Sequence, residues 1–241
     1  MIIMKDYLTP NPFSRPGKKL EKVTKIAVHY TANPGSTAEN NRDYFESLKT
    51  GRRDGNGKLL YVSSHYVIGL EGEIIQCIPE DEWSYCTNQA NKYSISIECC
   101  HKDSTGRFNE KTLFSLVELL ADLCRRHKLN PVEDIIRHYD VTRKLCPKWY
   151  VEHPSDWTAL RERVRKTMIG TNGYWVRVGA FSQKSRADEV AKKVTAIGFY
   201  NAVKEIEGKY YVEIGSFGNQ VKASALAFLL TEDLYSYVVQ K

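Results

Sequence analysis

The 241-residue chain has no histidine or cysteine beyond His153, so any chemistry built on imidazole or thiolate belongs to the part before residue 154. It has no run of about 20 apolar residues, which excludes a membrane-spanning helix. Its opening, Met1-Ile2-Ile3-Met4-Lys5-Asp6, has neither a long apolar stretch nor a small-residue cleavage site, so no secretory leader is expected. A secreted disulfide framework is absent too. Cys99 and Cys100 are adjacent and would point to opposite faces of a strand, and the C-terminal segment, where staples would help most, has no cysteine. Reduced thiols in a cytosolic product are expected. There is no block of one charge: the net +6 and pI near 8.9 come from basic residues scattered among acidic ones. That favours polyanions in general and specifies none. Without aromatic residues interleaved among the basic ones, nucleic acid is not an expected partner.

The chain that remains is ordinary in composition. Hydrophobic residues make up 42% and charged residues 27%, a balance that suits globular domains, and the length accommodates two of them. Residues 1–24, with Pro10, Pro12, Pro16 and Gly17, read as an irregular arm. Lys25 to Thr31 reads as a central strand. Ser36 and Glu39 match a capping box ahead of a helix that buries Tyr44, Phe45 and Leu48. Strands are expected at Val62 to Ile68 and Glu73 to Ile78, with a turn at Glu71-Gly72. Over Tyr93 to Cys99, Ile95, Ile97 and Cys99 face one way, while Ser94, Ser96 and Glu98 face the other. Asn109 is placed to cap a long helix with Leu113, Leu116, Val117, Leu120, Leu123 and Cys124 on its stripe, stopped by Asn130-Pro131. Ile135-Ile136 is a short strand ahead of His138, and Ser155 to Met168 a closing helix. The fold class is α/β, a mixed sheet flanked by helices.

Residues 169–173 (Ile-Gly-Thr-Asn-Gly) read as a linker, and an internal repeat follows. Tyr174-Trp175-Val176-Arg177-Val178-Gly179-Ala180-Phe181 is echoed by Tyr210-Tyr211-Val212-Glu213-Ile214-Gly215-Ser216-Phe217. Each copy leads into a helical run, at 184–196 and 220–230, and then a strand. Two such units make a small α+β domain with a four-stranded sheet and two helices on one face.

The chemistry concentrates in three residues. His29 lies mid-strand in Ile26-Ala27-Val28-His29-Tyr30-Thr31; His138 and Cys146 stand eight residues apart with Lys144 between them. Taken singly, a strand histidine is more often a hydrogen-bonded core residue, and a lone cysteine a buried apolar side chain. Together, two imidazoles and one thiolate fill three corners of a zinc tetrahedron and leave the fourth for water, the mark of a catalytic rather than a structural zinc. Lys144 would place a positive charge near a developing oxyanion. His65 is the rival ligand, with a supporting or substrate-contact role expected. Cys99-Cys100-His101 is too compact for a tetrahedron, and His127 and His153 read as exposed.

The motifs Val28-His29-Tyr30-Thr31, Asn91-x-Tyr93-Ser94-Ile95-Ser96-Ile97-Glu98 and His138-x-Asp140-x5-Cys146-Pro147 resemble the type-2 N-acetylmuramoyl-L-alanine amidases over roughly residues 20–165. The resemblance implies that His29, His138 and Cys146 hold zinc, that Glu98 is the catalytic carboxylate, and that Lys144 stabilises the oxyanion. Some relatives use a tyrosine just before the second strand's histidine. Here Ser64 precedes His65, so Glu98 has to serve. The repeat segment resembles the sporulation-related repeat domain, which binds glycan strands stripped of peptide stems. Tyr174, Trp175, Tyr210 and Tyr211 are weak sugar-contact candidates there.

These resemblances imply a zinc amidase domain at 1–168, a linker at 169–173 and a wall-binding domain at 174–241. The expected function is hydrolysis of the bond between N-acetylmuramic acid and L-alanine in bacterial peptidoglycan. The expected setting is a phage endolysin held in the host cytoplasm until release. A bacterial autolysin and a non-catalytic peptidoglycan receptor are the alternatives, and such receptors commonly lose the cysteine ligand. Oligomeric state is left open.

Overall fold

The computed structural model describes residues 1–169, 174–196, 201–217 and 236–240, and the chain divides into two compact units, 2–165 and 166–241. Among the described residues no helix is long and apolar enough to cross a membrane.

The first unit is built on a six-stranded mixed sheet in the order β1-β4-β3-β5-β2-β6. Its strands are β1 (Met4–Lys5), β2 (Lys25–Tyr30), β3 (Tyr66–Ile68), β4 (Ile74–Gln76), β5 (Ser94–Cys99) and β6 (Ile135–Arg137). Only β3 and β4 pair antiparallel, around the turn at Gly72; the other pairs are parallel. Strands buried on both faces read as continuous apolar runs, which is why Ile26-Ala27-Val28 shows no alternation. The arm at 1–24 is less irregular than expected, because Met4 and Lys5 pair with Ile75 and Gln76 and extend the sheet by an edge strand.

Helices cover both faces. On one, α1 (Ala38–Ser47) buries Ala38 and Phe45 against Val67, Ile75 and Cys77. Thr37, not Ser36, is its N-cap: the Thr37 hydroxyl accepts from the Asn40 amide, and the Asn40 side chain accepts from the Thr37 amide. Ser36 instead bonds the Asn33 carbonyl, so the box slides by one residue. On the other face lies α2 (Glu110–His127), capped by Asn109, whose Oδ1 accepts from the Lys111 and Thr112 amides. Leu116, Leu119, Leu120 and Leu123 are fully buried, each worth about 2 kcal/mol relative to exposure. Leu113 is only half-buried. Thr112 and Ser115 take the interior positions and donate to the carbonyls of Gly69 and Gly72. The helix stops at His127 because Lys128 adopts a left-handed C-cap, before Asn130-Pro131 is reached. Short helices α3 (His138–Thr142) and α4 (Lys148–Glu152) follow β6, and α5 (Pro154–Ile169) closes the unit.

The polar parity of β5 holds, but that face does not meet solvent. Ser94 and Ser96 are buried, and Ser96 Oγ is bonded to Ser84 and His65. His153 stacks on Trp149, with ring centroids 3.7 Å apart, and His127 bonds Glu80; neither is the free surface histidine expected.

The second unit holds a four-stranded antiparallel sheet, order β10-β7-β9-β8. Its elements are β7 (Tyr174–Phe181), α6 (Lys184–Ala196), β8 (Asn201–Ile206), β9 (Lys209–Phe217) and β10 (Ser236–Gln240). The repeat has a structural cause. Gly179 and Gly215 both take positive φ, 117° and 139°, and each sits where the β7–β9 register shifts, so each Gly-(Ala/Ser)-Phe marks a bulge. Val176, Val178, Val212 and Ile214 form the core with Ala187 and Val194 of α6, and Tyr174 and Tyr210 pack against it. Trp175 and Tyr211 alternate to the opposite face, where Arg177 bonds Glu213 at 2.7 Å. Ile169 is helical. The rest of the expected linker, 170–173, and the expected second helix at 220–230 lie outside the described residues.

Candidate metal centre and catalytic pocket

Three parallel strands end side by side, and the register between them builds the site. His29 of β2 pairs with Glu98 of β5, and Val28 pairs with Arg137 of β6, which leaves His138 one step further on. Neighbours at one register level share a face. Val67 of β3, opposite Glu98, packs among the residues around α1, so His29 and Glu98 lie on the α1 face. Ligand sites of open parallel sheets form beyond the carboxyl ends of strands, as here.

His138 opens α3, and Arg143, left-handed at φ 66°, ends that helix. The chain then returns, and the Cys146 carbonyl accepts from the Tyr139 amide at 2.9 Å. This short loop brings the thiol back to the histidines. Cys146 Sγ lies 3.6 Å from His29 Nδ1, and the rings of His29 and His138 meet edge-on with centroids 4.9 Å apart. The ligand atoms of His29, His138 and Cys146 all fall within 4.8 Å of one another, and all three residues are buried. They open into a cavity of about 440 Å³ that Glu98 and Lys144 also line. The structure therefore brings all five expected site residues together.

The electrostatics prepare two neutral imidazoles. Burial drives the His29 pKa well down, helped by His138 and Lys144; burial, and then the Lys144 charge, push His138 to about 4. His29 Nε2 lies 3.0 Å from Thr87 Oγ1. With Nε2–H donating there, Nδ1 is left bare on the side facing Cys146. Burial, and then the charge of Glu98, raise the Cys146 thiol to about 12, so binding a cation there has to expel a proton. Two neutral imidazoles and a thiol converging at this spacing fit a thiophilic, tetrahedral ion such as zinc.

Glu98 stands apart from these three. Burial pushes its carboxyl up to about 8, against the opposing pull of the Cys86 thiol and the Lys144 charge. Cys86 Sγ donates to Oε1 at 3.6 Å, whereas Oε2 is buried with no hydrogen-bond partner.

Several pocket residues went unrecognised in the sequence. Asn91 Oδ1 accepts from the amides of Cys86 and Thr87, at 3.1 and 2.7 Å, and so holds the turn that places Thr87 on His29 and Cys86 on Glu98. Its signal was its place at the head of Asn91-x-Tyr93-Ser94. Tyr44, Tyr61 and Tyr85 line the same cavity. His65 does not. It is fully buried, bridging Ser96 Oγ and the Glu82 carbonyl. Cys99, Cys100 and His101 form no metal-sized group among the described residues.

Comparison with known proteins agrees with this geometry. Residues 19–149 match the family described as N-acetylmuramoyl-L-alanine amidase, and residues 170–240 match the SPOR domain. The chain is similar to N-acetylmuramoyl-L-alanine amidase CwlL of Bacillus licheniformis, 33% identical over 81% of this chain and 55% of that protein. It is also similar to N-acetylmuramoyl-L-alanine amidase BlyA of Bacillus subtilis (strain 168), 31% identical over 70% of this chain and 48% of that protein. The chain thus spans about half the length of these two relatives. Among solved structures it resembles PlyL, with 25% identity and a TM-score of 0.56 over 68% of this chain and 97% of that one. The PlyG catalytic domain, at 24% identity and a TM-score of 0.57 over 70% of this chain and 96% of that one, shares the fold.

Proposed function

Because the chain belongs to the N-acetylmuramoyl-L-alanine amidase family, we propose that it is a zinc-dependent peptidoglycan hydrolase. It cuts the amide between the lactyl group of N-acetylmuramic acid and L-alanine. The observation that carries this reading is the convergence of His29, His138 and Cys146 within 4.8 Å, at a cavity that also holds Glu98.

His29, His138 and Cys146 hold the ion. An ion held there would supply Lewis acidity. Burial keeps both imidazoles unprotonated at neutral pH, which is the form that ligates. Thr87 fixes the orientation of His29. Glu98 takes a proton from the attacking water and returns it to the leaving nitrogen of L-alanine. Lys144, at the exposed edge of the cavity, sets its charge beside the tetrahedral oxyanion, a contribution of about 3 kcal/mol to the barrier in comparable sites. The presence of Cys146 in the cluster favours catalysis over a receptor role.

The catalytic domain runs to the end of α5 at Ile169, 170–173 is the link, and 174–241 is the domain that holds the wall through glycan strands. A tether for stripped glycan suits an amidase, whose own products are such strands. The setting that fits is a phage endolysin that waits in the host cytoplasm and reaches the wall on release. The test is mass spectrometry of purified walls digested by the full chain. Free L-alanine amino termini, lost on chelation and restored by zinc, are expected; cleavage at any other bond overturns the assignment.

A further inference from the structure

The pocket contains a second group at metal-ligand spacing. His29, Cys86 and Glu98 also present ligand atoms within 4.8 Å of one another. His29 belongs to both groups, but its Nδ1 lies on the Cys146 side and its Nε2 on Thr87. A second ion would therefore rest on Cys86 and Glu98, completed by solvent.

Three features make that pair a site rather than a chance contact. Cys86 Sγ and Glu98 Oε1 are 3.6 Å apart, and Oε2 of the same carboxylate is buried and unpartnered. The Asn91 side chain clamps the amides of Cys86 and Thr87, so the thiol is presented by a fixed turn. Both side chains line the open cavity, which gives an ion a way in. A thiolate beside a carboxylate selects zinc or cadmium over calcium or magnesium.

We propose that Cys86 and Glu98 form a second, weaker site for a thiophilic divalent cation, and that its occupation inhibits the enzyme by taking Glu98 out of use as the acid–base group. Binding releases the Cys86 thiol proton to solvent and forms a metal–sulfur and a metal–oxygen bond, with no change of oxidation state. The inhibitory role rests on Glu98 acting as proposed above; the site itself does not.

The test uses the full chain loaded with one equivalent of metal. Under chelator-buffered free zinc, release of L-alanine amino termini from purified walls should fall at least tenfold as zinc rises past the first equivalent. The rate of Cys86→Ser, taken relative to its own value at one equivalent of zinc, should change less than twofold across the same range. Cadmium titration of the metal-free chain, followed by sulfur-to-cadmium charge-transfer absorption, should show two steps, of which Cys86→Ser loses only the second. A single step, or a second step that survives in Cys86→Ser, overturns the site. Two steps with undiminished hydrolysis at high zinc keep the site and refute the inhibition. Should the chain cleave nothing, the cadmium titration alone decides whether the site exists.

Discussion

Two partly buried carboxylates of the first unit, Glu80 and Glu98, have opposite surroundings. Glu80 sits on the α2 side of the sheet and accepts from Tyr66, from both terminal nitrogens of Arg126 at 2.6 and 2.8 Å, and from His127 at 2.9 Å. Burial alone would raise it, but the hydrogen bonds from Arg126, Tyr66 and His127 hold it down at about 2. Glu98 has one weak thiol donor and an oxygen with none, and burial carries it up to about 8. On the proposed reading, the same residue type is a strut in one place and a proton carrier in the other. A fully satisfied charge is fixed in its ionised state and holds elements together, whereas an unsatisfied one is poised to exchange a proton near neutrality.

The contrast is most severely tested by removing the proton carrier. Glu98→Ala should lower hydrolysis about 1,000-fold while zinc content and wall binding persist. Full residual activity would rule Glu98 out. Glu80→Gln should do the reverse. It should cost roughly 2 to 3 kcal/mol in urea unfolding, moderated by the partial exposure of Arg126, and leave the rate per folded molecule unchanged. A large loss of rate without a loss of stability would undo the strut assignment.

The pair should also answer pH with opposite signs. Glu80 has a depressed folded pKa, so its stabilisation is full above about 4.5 and lost as pH falls towards 2. Glu98 has a raised one, so in chelator-treated protein its cost grows as pH rises from about 4.5 towards 8. Metal-free Glu98→Gln should therefore be more stable than the parent at pH 8, by about 2 kcal/mol, with the gap closing near pH 5. Parallel unfolding curves across that range would remove the basis for the comparison. The smallest effect is expected at Thr87→Val, which frees His29 Nε2. Zinc affinity should drop about tenfold, measured by competition with a chelating dye.

His29, His138, Cys146 and Glu98, which meet in the pocket, were legible chiefly because they lie in short motifs that carry a family resemblance; alternation alone put Glu98 no further than the polar side of a strand. His29 and Glu98 sit at matching positions of two strand-like segments, and His138 directly follows a third. The supporting turn was not. Thr87 and Asn91 belong to an irregular stretch without periodicity, and their partners lie elsewhere in the chain, at His29 and in the turn's own amides. The strand at Met4–Lys5 escaped notice because two residues between prolines and polar groups carry no pattern; its pairing with Ile75 and Gln76 makes it a strand. His127 looked like a surface residue because the sequence does not show Glu80 folded beneath the end of α2.

The alignment of β5, β2 and β6 ties assembly to chemistry. Slipping β2 by one position would bring Val28 to the mouth of the pocket and turn the imidazole of His29 to the far side of the sheet. If the pocket takes zinc as proposed, only correctly threaded molecules can capture it, and the fraction of a preparation that does so would gauge how much of it has folded true.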